Sequence, residues 1–471
     1  MNIQPVALWS DMLIWGLFAL LLAAAVAARR SEPLRRGWRH VGRNPAAMAA
    51  ATFLLVFVTL GLIDSLHFRQ RLPEQAGEAR VSYSVDLLSV LDLALSGLRA
   101  RTEKSYSEPL ATRLYNKEAV ELGDGRQGRD YPRLLYGGSH LGEREGERGA
   151  DIGLRLAAAL AAALMLWSAL AALLTRRLAR REACTLSAAW RKIRCNDTDL
   201  AWRAVLAAAA AVLALGAALV ALSSGYHAFG TDKVGQDVLY LTLKSVRTAL
   251  LIGLLTTLVL LPLAVSLGIL AGYFRGWVDD LIQYLYTTIT SVPGVLLIAA
   301  AVLMMQVVID GHPHWFSSSA ERADVRLLSL CLILGMTSWT GLCRLLRGET
   351  LKLSQLEFVQ AAHAVGLSHL RVVWRHILPN LMHIVLITLV MDFSQLVLAE
   401  AVLSYVGIGV DPTTISFGTM INNARMELAR EPMVWWSLAA AFSFMLALVL
   451  SANLLADAVR DAFDPRVSGS A

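Results

Sequence analysis

The sequence is poor in charged residues, which make up 17% of the chain, whereas a soluble globular domain carries roughly a quarter. Apolar residues reach 56% and collect in runs long enough to cross a bilayer, which takes roughly 20 residues each. This distribution excludes an ordinary soluble enzyme and predicts an all-α polytopic membrane protein. The net charge of +6 then belongs to basic cytoplasmic loops. No basic patch on a soluble fold points to nucleic-acid binding.

Several motifs of catalysis and metal binding are also missing. The chain has no Gly-x-x-x-x-Gly-Lys-Ser/Thr phosphate loop, no His-Glu-x-x-His and no Gly-x-Ser-x-Gly. The histidines at 363, 369, 376 and 383 are interpreted as solvated loop residues rather than as a metal site. The cysteines show no Cys-x-x-Cys spacing, which argues against a zinc site or a disulfide framework; they are Cys184, Cys195, Cys331 and Cys343. We therefore predict a non-catalytic chain that does not hydrolyse ATP itself and carries neither cofactor nor metal.

Nine apolar runs are candidate membrane spans. The eighth contains two acidic residues and is the least apolar, and the sixth contains Ser291-Val-Pro-Gly294, which predicts a kink within that span. The spans lie near residues 12–28, 45–63, 156–174, 204–222, 248–271, 281–308, 327–345, 382–404 and 434–455.

Lysine and arginine residues in the short loops predict the orientation of the chain in the membrane. Basic loops occur between spans one and two, after span three, and between spans seven and eight. All three fall on one side if the chain crosses the membrane nine times. We therefore place these loops and the C-terminus in the cytoplasm, and the N-terminus outside.

The polar stretch 65–151 is predicted to form a small extracytoplasmic segment of helical or mixed structure. Within it, Ser84 to Leu98 has leucines along one face of a helix, and Gly123 to Gly128 is typical of a turn. The segment is either a spacer or a docking surface for a soluble partner, and both interpretations stay open. The predicted organisation is residues 1–64 with two spans, 65–151, 152–200 with the third span and a basic linker, and 201–471 with six spans.

A polar interruption between spans seven and eight has the pattern of a short helix, a glycine break and a second helix that stops at a proline. The first part is Glu357-Phe-Val-Gln-Ala-Ala-His-Ala-Val-Gly366, and Leu378-Pro379 follows twelve residues later. The two central alanines favour a helix that can approach a groove closely. The glycine tolerates positive φ, and the proline is accepted at the start of the next helix. Such a stiff element gives another protein a surface to grip, although an interfacial amphipathic helix uses the same residue types.

Two further groups of polar residues are functional candidates. Asp392 and Glu400 lie in the eighth span, where a charge has to face protein or water. They are candidates for the translocation path or gate, or for internal structural contacts. Before the fifth span lies an extracytoplasmic motif whose two aspartates are predicted to cap the following helix, with contact to a binding protein as the alternative. The residues of this motif are Gly230, Thr231, Asp232, Gly235 and Asp237.

Five segments of residues 200–466 resemble, in order and spacing, the permeases of the dipeptide, oligopeptide and nickel ABC importer family. Phe229 to Val238 resembles the family's Gly-Thr-Asp-x-x-Gly-Arg-Asp element, except that Gln236 replaces its arginine. Residues 357–380 resemble the Glu-Ala-Ala coupling loop, with Gln360 in place of the glutamate, so that Glu357 could supply the carboxylate instead. The other three segments are Gly268 to Asp280, Glu400 to Gly409 and Asp461 to Arg466.

The resemblance implies the second, or C-type, permease of such a pair, with a type I ABC importer transmembrane fold. Its six-span core corresponds to spans four to nine here and is preceded by three extra spans and the extracytoplasmic segment. The implied location is the bacterial inner membrane. The implied partners are a second permease, two ABC ATPase subunits and an extracytoplasmic solute-binding protein. Coupling to the ATPases is implied for loop 346–380, through Glu357, Gln360, Ala361, Ala362, Gly366, Leu378 and Pro379.

Short peptides are the cargo that the resemblance favours, with nickel chelates, opines and peptide-like antibiotics left open. The rival hypothesis is a sensory or scaffold protein, in which the added N-terminal part senses an external signal and the permease-like half is a relic. A secondary transporter is a third alternative. It would need coupling-ion acids at a broken helix, and two acids on one span give it little support.

Overall fold

The computed structural model describes residues 3–30, 32–71, 83–84, 86–121, 127–142, 144–316 and 318–463. Helices dominate it, as the apolar runs predict. In chain order they are α1 (Trp9–Arg30), α2 (Glu32–Arg43), α3 (Pro45–Asp64), α4 (Val90–Ala94), α5 (Ser96–Arg99), α6 (Arg148–Arg181), α7 (Leu186–Cys195), α8 (Trp202–Ser223), α9 (Val238–Phe274), α10 (Gly276–Ser291), α11 (Gly294–Gly311), α12 (Ser319–Ser338), α13 (Thr340–Leu353), α14 (Glu357–Ala364), α15 (His369–Val372), α16 (Leu378–Tyr405), α17 (Phe417–Leu428) and α18 (Trp436–Phe463). The strands are β1 (Ile3–Val6), β2 (His67–Gln70), β3 (Leu88–Ser89), β4 (Glu118–Glu121) and β5 (Gln127–Asp130).

Eight helical stretches among the described residues are long and apolar enough to cross a membrane. They are Pro45–Asp64, Glu145–Arg181, Trp202–Ser223, Val238–Phe274, Gly294–Gly311, Ser319–Leu353, His369–Tyr405 and Trp436–Phe463. These stretches coincide with eight of the predicted spans, and the remaining one, near 12–28, coincides with α1, whose described apolar part is Trp9–Ala23.

The sixth span differs from its prediction as one kinked helix over 281–308. The chain forms two helices there, α10 and α11, and the long apolar one is α11 alone. Val292 is extended at the end of α10, and Pro293 precedes the first residue of α11. A proline disfavours helical backbone in the residue before it, which explains the separation. The break predicted at Ser291 to Gly294 is therefore confirmed, but it separates two helices instead of bending one.

The described residues divide into two compact units. One is built mainly from Trp38–Thr248 and Ile415–Leu455, and the other mainly from Leu8–Gly37 and Ala249–Thr414. In the first unit α8 packs against both α3 and α6. The indole N–H of Trp167 on α6 donates a hydrogen bond of 2.8 Å to the carbonyl oxygen of Leu206 on α8. The first span of the predicted six-span core thus lies beside two of the extra spans.

The extracytoplasmic segment belongs to the first unit and has the mixed structure that was one of its two predicted forms. Strands β1, β2 and β3 form an antiparallel sheet in that order, and β4 pairs with β5. The prediction of one helix from Ser84 to Leu98 is wrong. Leu88 pairs with Phe68 of β2, and a capping box formed by Ser89 and Asp92 starts a new short helix. Most of the predicted turn at Gly123 to Gly128 lies outside the described residues, and its last two residues are part of β5.

Described residues of the second unit form two buried apolar clusters. One contains Ile14 of α1 together with residues of α9, α11, α12 and α16. Beside it, the Ser10 backbone N–H donates to an Asp324 carboxylate oxygen at 3.1 Å, which fixes the start of α1 against α12. The other cluster includes Leu346, Val359 and Leu381, and therefore holds α13, α14 and α16 together. It is this second cluster that positions the candidate site.

Candidate functional site

The segment from residue 346 to 380, here called the coupling segment, is a series of short helices between two long ones. After α13 ends at Leu353, a three-residue turn leads into the eight-residue α14, and then α15 and a π-helical turn over Val373–Ile377 lead into α16. The predicted order of short helix, break and second helix is confirmed, but the second helix does not stop at the proline, because His369–Tyr405 is one helical stretch that contains Pro379. Pro379 occupies the first turn of α16, where its missing N–H leaves no intrahelical hydrogen bond unmade.

One side of α14 is fixed by burial. Val359 is fully buried and Ala362 is only 7% exposed, and both belong to the apolar cluster that includes Leu346 and Leu381. Ala361, the residue before Ala362, is exposed. The two alanines therefore play different parts. Ala362 packs α14 onto the helices of its own unit, whereas Ala361 faces outward.

The other side of the coupling segment carries large apolar side chains that its own unit leaves uncovered. Isolated exposed apolar residues are ordinary, but a set confined to one short polar segment marks a contact surface. Besides Leu356 before α14, the exposed residues are Phe358 at 43%, Val365 at 82%, Leu370 at 73% and Trp374 at 69%. We call the four residues that follow Leu356 the coupling patch.

Glycine at 366 permits the change of direction after α14. Its φ is +80°, in the left-handed region that a side chain disfavours. The Gly366 N–H donates to the His363 carbonyl at 2.9 Å, and the Leu367 N–H donates to the Ala362 carbonyl at 3.1 Å. These bonds close the end of the helix and set the start of α15.

Gln360 and Glu357, the two candidates for the polar contact of the coupling loop, are both exposed. The Gln360 amide N–H donates to the backbone carbonyl of Gln355 at 3.1 Å, which links α14 to the turn before it. Its amide oxygen stays available on the surface. Glu357 lies in the first turn of α14, where its negative charge interacts favourably with the helix dipole.

Side chains from α9 and α10 hold the coupling segment from outside it. The Tyr273 hydroxyl lies 3.0 Å from His363 Nε2 and 2.8 Å from His369 Nδ1, so it connects α14 and α15. The Arg347 guanidinium donates two hydrogen bonds, of 2.5 and 2.6 Å, to the Asp279 carboxylate. A bidentate pair of this kind resists rotation as well as separation. Tyr273 thus joins α14 and α15 to α9, and Arg347 joins α13 to α10.

The two acids of the eighth span lie on α16 and have different surroundings. Glu400 is only 2% exposed and accepts a hydrogen bond of 2.7 Å from the Ser404 hydroxyl one turn later. Asp392 is half-buried. Beside it, Phe393 lies so close to Gly253 of α9 that a Cβ at that glycine would approach the Phe393 ring to 2.4 Å. These contacts place Glu400 in a packed interior and Asp392 next to a close crossing of α9 and α16.

The extracytoplasmic motif at 230–237 is a tight turn with φ of +71° at Gly230 and +79° at Gly235. Asp237 caps α9, since its carboxylate accepts a hydrogen bond of 2.8 Å from the Leu239 N–H. Asp232 does not cap the helix. Its carboxylate accepts from the N–H groups of Val234 and Gln236 at 2.9 and 2.8 Å and closes the turn.

The same motif packs directly against the extracytoplasmic segment. A Cβ at Gly235 would lie 1.8 Å from the carbonyl oxygen of Glu103, so only glycine admits the approaching backbone. The Thr231 hydroxyl accepts from the Ser107 N–H at 2.7 Å and donates to the Ser105 carbonyl at 2.8 Å. The motif therefore contacts an added part of the same chain.

A buried ion cluster reinforces this contact. His227 lies between Asp237, with 2.7 Å from Nδ1 to the carboxylate, and Glu103, with 3.3 Å from Nε2. Burial alone would lower the pKa of His227, but hydrogen bonds to the two carboxylates raise it to about 9. Burial opposes the ionised form of Glu103 as well. The hydrogen bond from His227 and the N–H groups of Tyr136 and Leu135 nevertheless lower its pKa.

A second ion cluster joins α3, the segment before α4 and α9. Lys244 Nζ lies 2.7 Å from the Asp64 carboxylate and 3.1 Å from that of Asp92, and both acids are buried. Ser89 donates to Asp64 at 2.6 Å, and the Tyr240 hydroxyl donates to Asp92 at 2.8 Å. Burial opposes ionisation of Asp92, but the charge of Lys244 and the hydrogen bonds from the Ser89 backbone N–H and the Tyr240 hydroxyl lower its pKa.

Sequence reasoning missed both clusters and the coupling patch. Lys244 carried a usable signal, since a lysine beside an apolar run needs a partner. Glu103 and His227 lie 124 residues apart in sequence, and no local pattern connects them. The apolar residues of the coupling patch resemble core residues until the structure shows which are covered.

Comparison with known proteins gives consistent results. Residues 264–469 match the family described as binding-protein-dependent transport system inner membrane component. The chain is 29% identical to the oligopeptide transport system permease protein OppC of Mycobacterium tuberculosis over 239 residues, which cover 51% of this chain and 76% of that protein. It is 30% identical to the glutathione transport system permease protein GsiD of Pectobacterium atrosepticum over 244 residues, covering 52% and 74%. To the dipeptide transport system permease protein DppC of Lactococcus lactis it is 30% identical over 242 residues, covering 51% and 64%.

Proposed function

Because this chain belongs to the family of binding-protein-dependent transport system inner membrane components, as a multi-pass permease subunit, we propose that it imports di- or oligopeptides in an ATP-driven complex. In this proposal the cargo arrives on an extracytoplasmic solute-binding protein and passes to the cytoplasm by alternating access. The relatives named above are permeases for oligopeptides, glutathione and dipeptides, which favours peptides over nickel chelates, opines or antibiotics as cargo.

The observation that carries the proposal is the construction of the coupling segment. The coupling patch is exposed, yet the helix that bears part of it is fixed from behind by Val359 and Ala362. A partner that docks on the patch therefore pushes on a rigid element, whereas a flexible loop would absorb the motion. Two ATPase subunits, one on this chain and one on a second permease, are the proposed partners.

The proposed transmission runs from α14 into the long helices. When the ATPases close on ATP, the displacement of α14 passes through the buried cluster to α13 and α16, and through Tyr273 to α9. Reorientation of these helices opens the path outward, and hydrolysis restores the inward state. Asp392 and Glu400 lie on α16 and are proposed to sense this movement at the path or gate.

The test is purification of the tagged chain from its host in mild detergent, followed by identification of the co-purifying proteins and an assay of ATP hydrolysis. Val365→Asp and Leu370→Asp place a charge in the coupling patch and are expected to remove the ATPase subunits. The matched controls are Val234→Asp and Leu135→Asp. Val234 is 68% exposed in the extracytoplasmic motif, and Leu135 is 69% exposed in the extracytoplasmic segment. Both variants should retain the ATPases.

Recovery of the wild-type chain without ATPases or a second permease would overturn the proposal and favour a sensory or scaffold role. If the ATPases co-purify and both patch variants keep them, the importer assignment stands but the coupling patch is not the docking surface. The cargo is tested separately, by uptake of labelled di- and tripeptides in cells with and without the chain. Equal uptake in both would contradict a peptide importer.

A further inference from the structure

A cavity of about 690 Å³ lies between α6, α7 and α8, in the part of the chain that precedes the matched family region. Its walls include the indoles of Trp167 and Trp190 and the side chain of Leu206. Three arginines also line it: Arg191 and Arg194 on α7, and Arg203 at the start of α8. An aromatic wall next to clustered arginines is unusual for a cavity that serves only packing.

The chain builds this cavity with a short amphipathic helix. Thr185 caps the start of α7 through a hydrogen bond to the Ala188 N–H, and Asn196 ends it in the left-handed conformation. Ile193 is buried against Leu206 of α8 and Trp167 of α6, which fixes α7 to both helices. The polar face of α7 is therefore left exposed beside two membrane spans.

The three cavity arginines are exposed, and no ion pair or hydrogen bond engages their side chains within the described part of the chain. The neighbouring Lys192 differs, since its ammonium lies 2.5 Å from the Glu182 carboxylate. Four more exposed arginines end α6 nearby in sequence, namely Arg176, Arg177, Arg180 and Arg181. The cavity thus has an excess of positive charge that the protein itself does not neutralise.

We propose that this cavity binds the phosphate headgroup of an anionic phospholipid. Guanidinium groups match the oxygens of a phosphate, and indole side chains are favoured at the level of the headgroups. Basic pockets between membrane helices on the cytoplasmic side are suited to such lipids. The exposed apolar residues of α6, among them Leu164 and Leu170, offer a surface for the acyl chains. A soluble anion would use the arginines but not that surface.

The test uses the full chain purified in detergent and titrated with phosphatidylglycerol, with the retained lipid counted by native mass spectrometry. The double variant Arg191→Gln/Arg194→Gln should weaken retention about tenfold or more, because each arginine near an anionic surface adds to the attraction. The matched control is Arg35→Gln/Arg39→Gln on α2, which removes two exposed arginines from another short basic helix and should stay within twofold.

Arg203→Gln adds an independent check from α8 and should also weaken retention. The altered residues are exposed, so the thermal midpoint should not change, and the comparison reports binding rather than unfolding. Equal weakening by both double variants, or equal retention of neutral phosphatidylcholine by the wild-type chain, would overturn the proposal. Displacement of the lipid by millimolar inorganic phosphate would also overturn it, because the site would then take a soluble anion.

Discussion

The charge on His227 links the stability of the extracytoplasmic segment to pH. Its folded pKa of about 9 lies above its ordinary value of 6.5, so its contribution is fully present below pH 6.5. That contribution, on the order of 3 kcal/mol, is lost as the pH rises from 6.5 through about 9. The lowered pKa of Glu103 acts in the opposite sense, and its contribution is lost only as the pH falls below about 4.5.

We therefore expect the thermal midpoint of the purified chain to fall between pH 6.5 and 9, and this fall to be much smaller in His227→Gln. Intrinsic fluorescence during heating at a series of pH values measures both. His140, whose partner Asp151 lies at a more exposed site, provides the control variant His140→Gln. A parallel pH dependence in the wild-type chain and His227→Gln would show that the buried cluster does not control it.

Lys244 neutralises two buried acids, so its loss is expected to cost far more than the loss of a surface charge. Lys244→Met leaves Asp64 and Asp92 without their cation and should destabilise the chain by roughly 3 kcal/mol or more. Lys233→Met, at an exposed lysine, should change the stability by less than about 0.5 kcal/mol.

Adding Asp64→Asn to Lys244→Met should restore part of the lost stability, because one buried negative charge is then removed. Thermal unfolding of the three variants measures these differences. Failure of the second substitution to restore any stability would mean that the lysine acts through packing of its stem and not through its charge.

At the level of single residues, the sequence predicted what depends on neighbours along the chain. The cap by Asp237, the positive φ of Gly366 and the position of Pro379 follow from local backbone chemistry. Asp232 shows the limit, because an aspartate before a helix can cap it or close a turn, and the spacing alone did not distinguish these. Partners far apart in sequence, such as Glu103 and His227, depend on the folded arrangement.

At the level of elements, α14 has a covered side and an exposed side, and its two central alanines lie on different sides. Ala362→Leu forces extra atoms into the buried cluster and is expected to destabilise the chain by about 1–3 kcal/mol. Ala361→Leu should leave the stability unchanged and instead reduce the recovery of ATPase subunits, because it alters the outer surface.

The thermal midpoint and the yield of co-purified ATPase distinguish the two effects. Each variant is the control for the other, since the substitution is identical and the positions are adjacent. Loss of stability in Ala361→Leu together with tolerance of Ala362→Leu would contradict the placement of α14.

Long apolar helices were predicted correctly because burial in lipid leaves a continuous hydrophobic run. The short elements between residues 84 and 98 were not. The stretch from Ser84 to Leu98 has helical periodicity, yet pairing of Leu88 with Phe68 and the cap at Ser89 divide it. Strand pairing with a distant segment competes with local propensity there, and periodicity does not reveal the competitor.

For the whole molecule, the prediction of orientation is open to a direct test with native cysteines. Cys195 is exposed in the basic linker, while Cys331 and Cys343 are buried. In sealed right-side-out vesicles, a membrane-impermeant maleimide should leave the wild-type chain unlabelled and should label Leu135→Cys in the extracytoplasmic segment. Inside-out vesicles should give labelling of Cys195. Labelling of the wild-type chain from outside would reverse the predicted orientation.

The close approach of Glu103 to Gly235 has a consequence for engineering chimaeras of this permease. The turn and the added segment pack together without room for a side chain at 235, since a Cβ there would lie 1.8 Å from the carbonyl oxygen of Glu103. A graft of residues 65–151 onto a shorter permease therefore succeeds only where the recipient turn has glycine at the equivalent place. Conversely, Gly235→Ala adds a single methyl group and is the smallest substitution that would separate the grafted segment from the turn. The rest of both segments would keep its sequence.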